Sequence, residues 1–514
     1  MATVSKVLLD AGPLQTSDVE RVARFGDKVE VASSACERLT ELRTRMLKAI
    51  GDGQPHYGLN TGFGALSNVR IDASSLRDLQ VNLIRSHSTG VGKPLAVEVV
   101  RATMLLLAAS LCRGLSGVRP ALVQLLVEML NKGVTPIVPE TGSVGASGDL
   151  APLAHIALVL IGEGEARVGD EVLPGRRALA ASKLQPLVLE VKEGLAMING
   201  THLMAGTAAM LVESFSRLFD AALVAAAMSV DTCRATSAVL DPRIHHARCQ
   251  RGQAVVSQRL RELLSGSEII ESHREQDSRV QDPYSFRCCP AVLGAAWDAF
   301  QYVREKVNAE LGAVTDNPLI FPRESDGDDN GNVDIVSSGN FHGLPLALPL
   351  DVLAIAVSHL AGVSERRTFH MLSGHDPEAQ LPTFLTPQAG LQSGLMIAQY
   401  AAAACCNELI GLANPASVAN LSTSAGMEDY NSFGPRSAAK AQRAVELARS
   451  VVAIELLCAS TGLDHHHPLR SGNQIEKAFE AIRAKIPALV ADRPPAPDIR
   501  VLEEMIDEGD FASD

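Results

Sequence analysis

Aromatic side chains are scarce: Phe, Tyr and Trp make up 4% of the 514 residues, with one tryptophan, although 46% of the chain is hydrophobic. Alanine, leucine and valine must therefore fill the interior, which suits closely packed helices better than sandwiches of aromatic-rich strands. Positive charge is also short, with 46 Lys and Arg against 59 Asp and Glu and a formal net charge of -13. That balance disfavours a nucleic-acid scaffold and points to a small soluble substrate rather than a polyanion. The 9 cysteines form no CxxC pair, and the vicinal couples Cys288-Cys289 and Cys405-Cys406 lack zinc-knuckle spacing. Reduced thiols in a cytoplasmic protein are the simple reading. Residues 1–15 have no long apolar core followed by a small-residue cleavage site. The apolar run from Leu395 to Ala413 contains Gln399, Asn407 and Glu408. It therefore reads as a buried helix, and no membrane association is expected.

What is present is a chain long enough for a large core and two or three lobes. The expected fold class is all-α: an N-terminal lobe over residues 1–200, then a long helical bundle with C-terminal helices over residues 201–514. Residues 16–50 read as helix, capped by Thr16-Ser17-Asp18. His56 to Arg70, HYGLNTGFGALSNVR, is too glycine-rich for helix and reads as a loop. Helices are expected at about 97–111, 121–131 and 150–161, with a short hairpin or exposed connection at 162–173. Beyond residue 194 come long alanine-rich helices at about 203–230, 254–264, 289–311, 345–372, 391–413 and 435–461, a pattern that suggests a bundle.

Chemistry concentrates in Gly142 to His155, GSVGASGDLAPLAH. Glycines at 142, 145 and 148 permit a kinked backbone, and Gly148 has no side chain to keep its amide nitrogen from the carbonyl of Ala146. Attack of that nitrogen closes a five-membered ring. Loss of water from the ring and of the Ser147 hydroxyl then leaves an exocyclic methylidene, an electrophile made from the chain itself. Ala146 avoids crowding the ring, and Asp149 stands where it can help move protons. Ala-Ser-Gly alone also occurs in ordinary turns. The glycines stand three apart and no Lys-Ser/Thr follows, so neither a dinucleotide fingerprint nor a phosphate loop is present.

Other signals carry less. Asp326 to Ser337, DGDDNGNVDIVS, begins like a calcium loop, but Ser337 stands where a bidentate Glu belongs. A solvated insertion is the better reading. Ser437 and Lys440 have serine acyl-enzyme spacing without the companion motifs, and His465-His466-His467 reads as a polar turn more readily than as a metal site. No metal is expected.

The central loop with its surroundings resembles the cofactor loop of the aromatic amino acid ammonia-lyases, most closely the histidine ammonia-lyases, which form a methylidene-imidazolone (MIO) group there. The resemblance runs from about Tyr57 to Leu469. It implies a self-made MIO from Ala146-Ser147-Gly148, no external cofactor, and a homotetramer whose active sites draw on more than one subunit. It implies that Tyr57, in YGLNTGFG, is the catalytic base on a loop supplied by a neighbouring subunit. Such a base needs its phenolate favoured by donors or positive charge, since tyrosine ionises near pH ~10. Without the resemblance, Tyr57 could equally pack a glycine turn. Asn199, in KEGLAMINGT, would touch cofactor and substrate. In VQDPYSFRC, Arg287 would bind the substrate carboxylate, with Tyr284 and Gln281 aligning the cofactor. Phe341, in SSGNFHG, would lie near the MIO ring.

Two positions address the substrate. Ser86-His87 resembles the histidine-specific form of the selectivity dipeptide, and Glu428, in STSAGMEDYNSFG, stands where histidine lyases have Glu. A carboxylate can pair with an imidazole, whereas benzene offers it nothing. Departures are Ala291, where relatives commonly have Gln, and Tyr430-Asn431-Ser432, which is closer to the phenylalanine-lyase form. The expected activity is conversion of L-histidine to trans-urocanate and ammonia. The alternatives are a phenylalanine or tyrosine ammonia-lyase or a 2,3-aminomutase, and, from a different class, a catalytically dead helical scaffold.

Overall fold

In the computed structural model the described residues are 6–52, 54–275, 277–323 and 333–512. Helices dominate and lie close to where hydrophobic periodicity places them. The long ones are Val97–Cys112, His202–Thr232, Cys289–Glu310, Leu344–Ser373, Met396–Leu412 and Gly434–Asp464. Val97–Cys112 is buried on every face from Val99 onward, as expected of a helix with no polar stripe.

The chain divides into two compact units. The first comprises Met1–Glu213, Arg304–Leu350 and Ala416–Ala439; the second comprises Ser214–Val303, Asp351–Pro415 and Lys440–Asp514. Within the first unit, Leu42, Met46, Leu59 and Ile320 form a core cluster. Leu59 belongs to the glycine-rich loop, so this cluster anchors that loop by burying a side chain worth roughly 1.5–3 kcal/mol. Small sheets fill the gaps between helices. Glu165–Val168 and Glu171–Pro174 form the expected hairpin, and Val134–Pro136 adds an antiparallel third strand.

Within the second unit, Arg367 and Glu455 are both fully buried and paired, Nη2 to Oε2, at 2.8 Å. Ser229 Oγ donates to the same carboxylate at 2.7 Å. A buried pair demands this satisfaction, because either charge alone would be costly. Phe215 and Phe300, on His202–Thr232 and Cys289–Glu310, meet with ring centroids 4.7 Å apart and planes tilted by 45°.

Two expectations need correction. Residues 16–50 are two helices, Thr16–Ala23 and Ser33–Ala49, separated by the strand Lys28–Val31, which pairs in parallel with Lys6–Leu9. Gly26, at φ +75°, makes the break, and Arg21 binds Asp27 across it at 2.7 Å. Met396–Leu412 is not a buried helix within this chain: only Ala398, Ala402 and Leu409 are buried, while Ile397, Tyr400 and Ile410 are exposed. Among the described residues, the helix long and apolar enough to cross a membrane is Leu344–Ser373, and 61% of its most apolar window is buried inside the protein. Of the calcium-like stretch, residues 326–332 lie outside the described residues, while Val333–Val336 is a strand antiparallel to Leu319–Pro322.

Candidate active site

The strand Pro139–Thr141 leads into the central loop and the helix Leu150–Leu160 leads out. Gly148 has φ +75°, and a Cβ there would stand 2.1 Å from the Gly200 carbonyl oxygen. Only glycine fits, since the obstacle is backbone and cannot move aside. Gly145, at φ +68°, is equally pressed, with Ser432 Oγ where a Cβ would go. The kink is held from several sides. Ser143 Oγ donates to the Gly148 carbonyl at 3.1 Å, Ser432 Oγ to the Gly145 carbonyl at 2.9 Å, and the Phe433 N–H to the Val144 carbonyl at 2.9 Å. The Asp149 N–H reaches the Gly200 carbonyl at 2.7 Å.

Asp149 is fully buried. Its Oδ2 accepts the Leu203 and Met204 N–H groups at 2.8 and 3.1 Å, satisfying the first turn of His202–Thr232. Among the described residues its Oδ1 has no partner. Burial pushes this carboxyl up to about 7, against the lowering effect of the two helix donors.

Beside the loop, and wholly within the first unit, lies a cavity of about 720 Å³. Tyr57, His87, Ser147, Asn199 and Glu428 all line it, together with Leu83, Leu195 and Ile198. Ser147 Oγ donates to Glu428 Oε1 at 2.9 Å, and Thr423 Oγ1 donates to Glu428 Oε2 at 3.1 Å. Asn199 Nδ2 donates to the Ser147 carbonyl at 3.4 Å, leaving the buried Asn199 Oδ1 without a protein partner among the described residues. The segment carrying Asn199 is fastened at its start by the fully buried Lys192, whose Nζ binds Asp316 Oδ2 at 2.6 Å. Gln80 Oε1 accepts the Gly194 N–H at 2.9 Å and so ties that segment to the helix Leu76–His87.

His87 Nδ1 is 2.8 Å from the Leu83 carbonyl. A carbonyl only accepts, so Nδ1 carries a proton and donates it there. Tyr57 Oη accepts the Gly64 N–H at 3.4 Å. Burial holds its hydroxyl above the usual tyrosine range; the Gly64 donor works against this and the charge of Glu428 adds to it. Two expectations about Tyr57 therefore change. It shares a cavity with Ser147 of its own chain, so no neighbouring subunit is needed to bring them together. That cavity also favours the neutral phenol rather than the phenolate.

The remaining expected residues lie elsewhere. Gln281, Tyr284 and Arg287 belong to the second unit. Gln281 is exposed, Tyr284 is 69% exposed, and the Arg287 guanidinium carbon sits 4.5 Å over the Tyr284 ring. Arg287 also lines a separate cavity of about 530 Å³ with His245, Gln253 and Ala291. Phe341, in the first unit, is half-buried and does not line the 720 Å³ cavity. Its neighbour Gly343 instead supports the loop, for a Cβ there would collide with the Met204 and Ser432 side chains at 2.6 Å. Sequence reasoning passed over Thr423, Ser432 and the apolar wall of Leu195 and Ile198. Thr423 and Ser432 stand inside the motif STSAGMEDYNSFG already singled out, where neither had been given a role, and their hydroxyls were the available signal.

A largely apolar cavity with a few converging polar groups, set beside a kinked Ala-Ser-Gly loop on a helical scaffold, has the build of an enzyme active site. The family model described as aromatic amino acid lyase matches residues 14–484. Histidine ammonia-lyase from Anaeromyxobacter sp. (strain K) is 45% identical over 511 residues, 98% of this chain and 99% of that relative. Among solved structures, histidine ammonia-lyase from Trypanosoma cruzi superposes with a TM-score of 0.89 at 38% identity, covering 99% of this chain and 94% of that one. Tyrosine aminomutase from Streptomyces globisporus gives 0.90 at 32%, covering 99% and 98%. The chain belongs to the aromatic amino acid lyase family and is a carbon-nitrogen lyase.

Proposed function

We propose that this lyase eliminates ammonia from L-histidine to give trans-urocanate, using an MIO electrophile formed from Ala146-Ser147-Gly148. The observation that carries the reading is Glu428, whose carboxylate is held 2.9 Å from the Ser147 hydroxyl in the cavity that His87 also lines. The residues fit the group. Gly148 is in the left-handed region with no space for a side chain, Ala146 is buried with only a methyl, and Asn199 reaches the Ser147 carbonyl. In forming it, the Gly148 nitrogen bonds to the Ala146 carbonyl carbon, whose oxygen leaves as water. Ser147 then loses its α-hydrogen and β-hydroxyl as a second water. MIO, once formed, supplies an electrophile that takes up the substrate amine.

The chain's own groups do the rest. The Glu428 carboxylate is an acceptor, so it suits the N–H of an imidazole, whereas a phenyl ring has no donor to offer it. Tyr57 Oη stands in the same cavity to remove the proton from the carbon beta to the amine. Because burial and Glu428 keep it protonated, its work as a base calls for positive charge, which an ammonium or imidazolium brings with the substrate. Leu83, Leu195 and Ile198 limit water around it.

The same reading assigns the substrate carboxylate to Arg287, cofactor alignment to Tyr284 and Gln281, and ring contact to Phe341. We infer a homotetramer in which a neighbouring copy offers such groups. Support comes from apolar side chains left outward, including Leu391 at 83% and Val280 at 97% exposure. Nine unpaired cysteines fit a cytoplasmic location. Tyr430-Asn431-Ser432 favours a second reading, a lyase or 2,3-aminomutase for phenylalanine or tyrosine. Ultraviolet assays with the three amino acids decide between them. Histidine alone should yield its conjugated acrylate, because an unpaired buried carboxylate can reject an analogue by ~10^4-fold. Glu428→Gln should keep the mass deficit of two waters and lose most histidine turnover. Preference for phenylalanine, or an unimpaired Glu428→Gln, sinks the histidine assignment.

A further inference from the structure

Glu428 is presented by a tight reversal. The Thr423 N–H donates to the Glu428 carbonyl at 2.8 Å and the Glu428 N–H returns to the Thr423 carbonyl at 3.2 Å. Between them Ser424, Ala425 and Gly426 have φ of +51°, +53° and +89°. This left-handed run sets the two side chains next to each other. Thr423 Oγ1 is 3.1 Å from Glu428 Oε2 and 3.3 Å from the Glu428 carbonyl oxygen. The carboxylate is the stronger acceptor, since a hydrogen bond to an ionised oxygen gains charge assistance. Thr423 does not line the cavity and stands behind Glu428.

Among the described residues each carboxylate oxygen thus has one side-chain donor, Ser147 on Oε1 and Thr423 on Oε2. These two donors have different fates. The ring-forming chemistry proposed above expels the Ser147 hydroxyl as water, so the bond that orients Oε1 here cannot survive maturation. The titratable groups sharing the cavity are Tyr57 on the glycine loop and His87 on Leu76–His87, and Asp429 follows in the chain, exposed. Tyr57 Oη is engaged by the Gly64 N–H and His87 Nδ1 by the Leu83 carbonyl, and among the described residues neither is hydrogen-bonded to Glu428 to replace the lost donor.

We propose that Thr423 is the positioning residue of the mature enzyme, the side-chain donor that keeps Glu428 aimed at the substrate after Ser147 has given up its hydroxyl. The proposal rests on the function assigned above and is testable apart from it. Thr423 is extended, at φ -126° and ψ 177°, so valine can replace it with the same shape and backbone.

The experiment compares intact mass, thermal midpoint and the pH profile of histidine kcat/KM for wild type, Thr423→Val and Thr423→Ser. Thr423→Val should keep the two-water deficit and the wild-type midpoint yet lose roughly 10- to 100-fold in kcat/KM, the loss expected for one hydrogen bond to a charged group. Its pH profile should differ from wild type, since a donor to the Glu428 carboxylate is lost, while substrate titration is common to all three proteins and cancels. Thr423→Ser, which restores the hydroxyl, should restore rate and profile. A Thr423→Val protein with wild-type kcat/KM and profile overturns the assignment, as does a Thr423→Ser protein no better than Thr423→Val. An unmodified or inactive wild type instead overturns the function on which it rests.

Discussion

The two stretches that carry the expected chemistry are built in opposite ways. In the first unit, Tyr57, Ser147, Asn199 and Glu428 meet in one cavity, each engaged by another group of the same unit. In the second, Val280 to Arg287 stands largely outward, with Val280 97% and Tyr284 69% exposed and Arg287 stacked on the Tyr284 ring. The first arrangement is held in place by its own fold, whereas the Arg287 guanidinium rests on an exposed ring. In the function proposed above, electrophile and base would belong to one copy and the carboxylate clamp would be open to sharing.

The largest effect that can break this comparison comes from separating the two halves. Ser147→Ala should abolish turnover, since the methylidene cannot form, and Arg287→Ala should lower kcat/KM on the order of 10^2 by stranding the substrate carboxylate. Co-expressed, the two defective chains should regain part of the activity, because some mixed sites then combine an intact loop with an intact arginine. Recovery read by urocanate absorbance supports sites shared between copies. No recovery at any ratio means that a single chain supplies both halves.

Tyr57→Phe addresses the first unit alone. It removes the ionisable oxygen while leaving the ring on its glycine loop, and general-base loss commonly costs on the order of 10^2 to 10^4 in rate. Intact mass should still show the two-water deficit. Near-normal turnover would reduce Tyr57 to a packing residue and pass the base role elsewhere, with Tyr284 the next candidate.

How far the sequence alone reached follows the same division. The long helices were legible because their apolar period repeats over many turns, as in His202–Thr232 and Gly434–Asp464. The central loop was legible because a strained backbone leaves glycines at fixed places, and Gly145 and Gly148 are pressed against neighbours as expected. What stayed hidden depends on contacts far apart in the chain. Nothing local marks Ser432 as the hydroxyl closing over Gly145, 287 residues away. Nor does YGLNTGFG reveal that Tyr57 shares a cavity with the Glu428 of its own chain, where burial chiefly, with the charge of Glu428 adding to it, holds its hydroxyl above the usual range. The strand within residues 16–50 was missed because the short Lys28–Val31 segment is a strand only through pairing with Lys6–Leu9.

The smallest effect concerns a buried acid that the two units have in common. Asp149 in the first and Asp231 in the second are both pushed up to about 7, chiefly by burial. Asp149 lies next to the reactive tripeptide, whereas Asp231 is held by Ser267 Oγ at 2.9 Å and by Ser471, far from any expected chemistry in the sequence. A carboxyl whose folded value is raised binds its proton more tightly folded than unfolded. Its contribution to stability is complete below the unfolded value near 3.8 and is lost as pH rises through about 7. For Asp231 that loss is at most roughly 4 kcal/mol, about three pH units at 1.36 kcal/mol each. Asp231→Asn keeps shape and removes titration, so denaturant midpoints measured at pH 5 and pH 8 should differ less in the variant than in wild type. A residual slope should remain, owed to Asp149. If Asp231→Asn falls as steeply as wild type over this interval, Asp231 is ionised in the folded protein, and the acid with a pH-sensitive place in the fold is the one beside the electrophile.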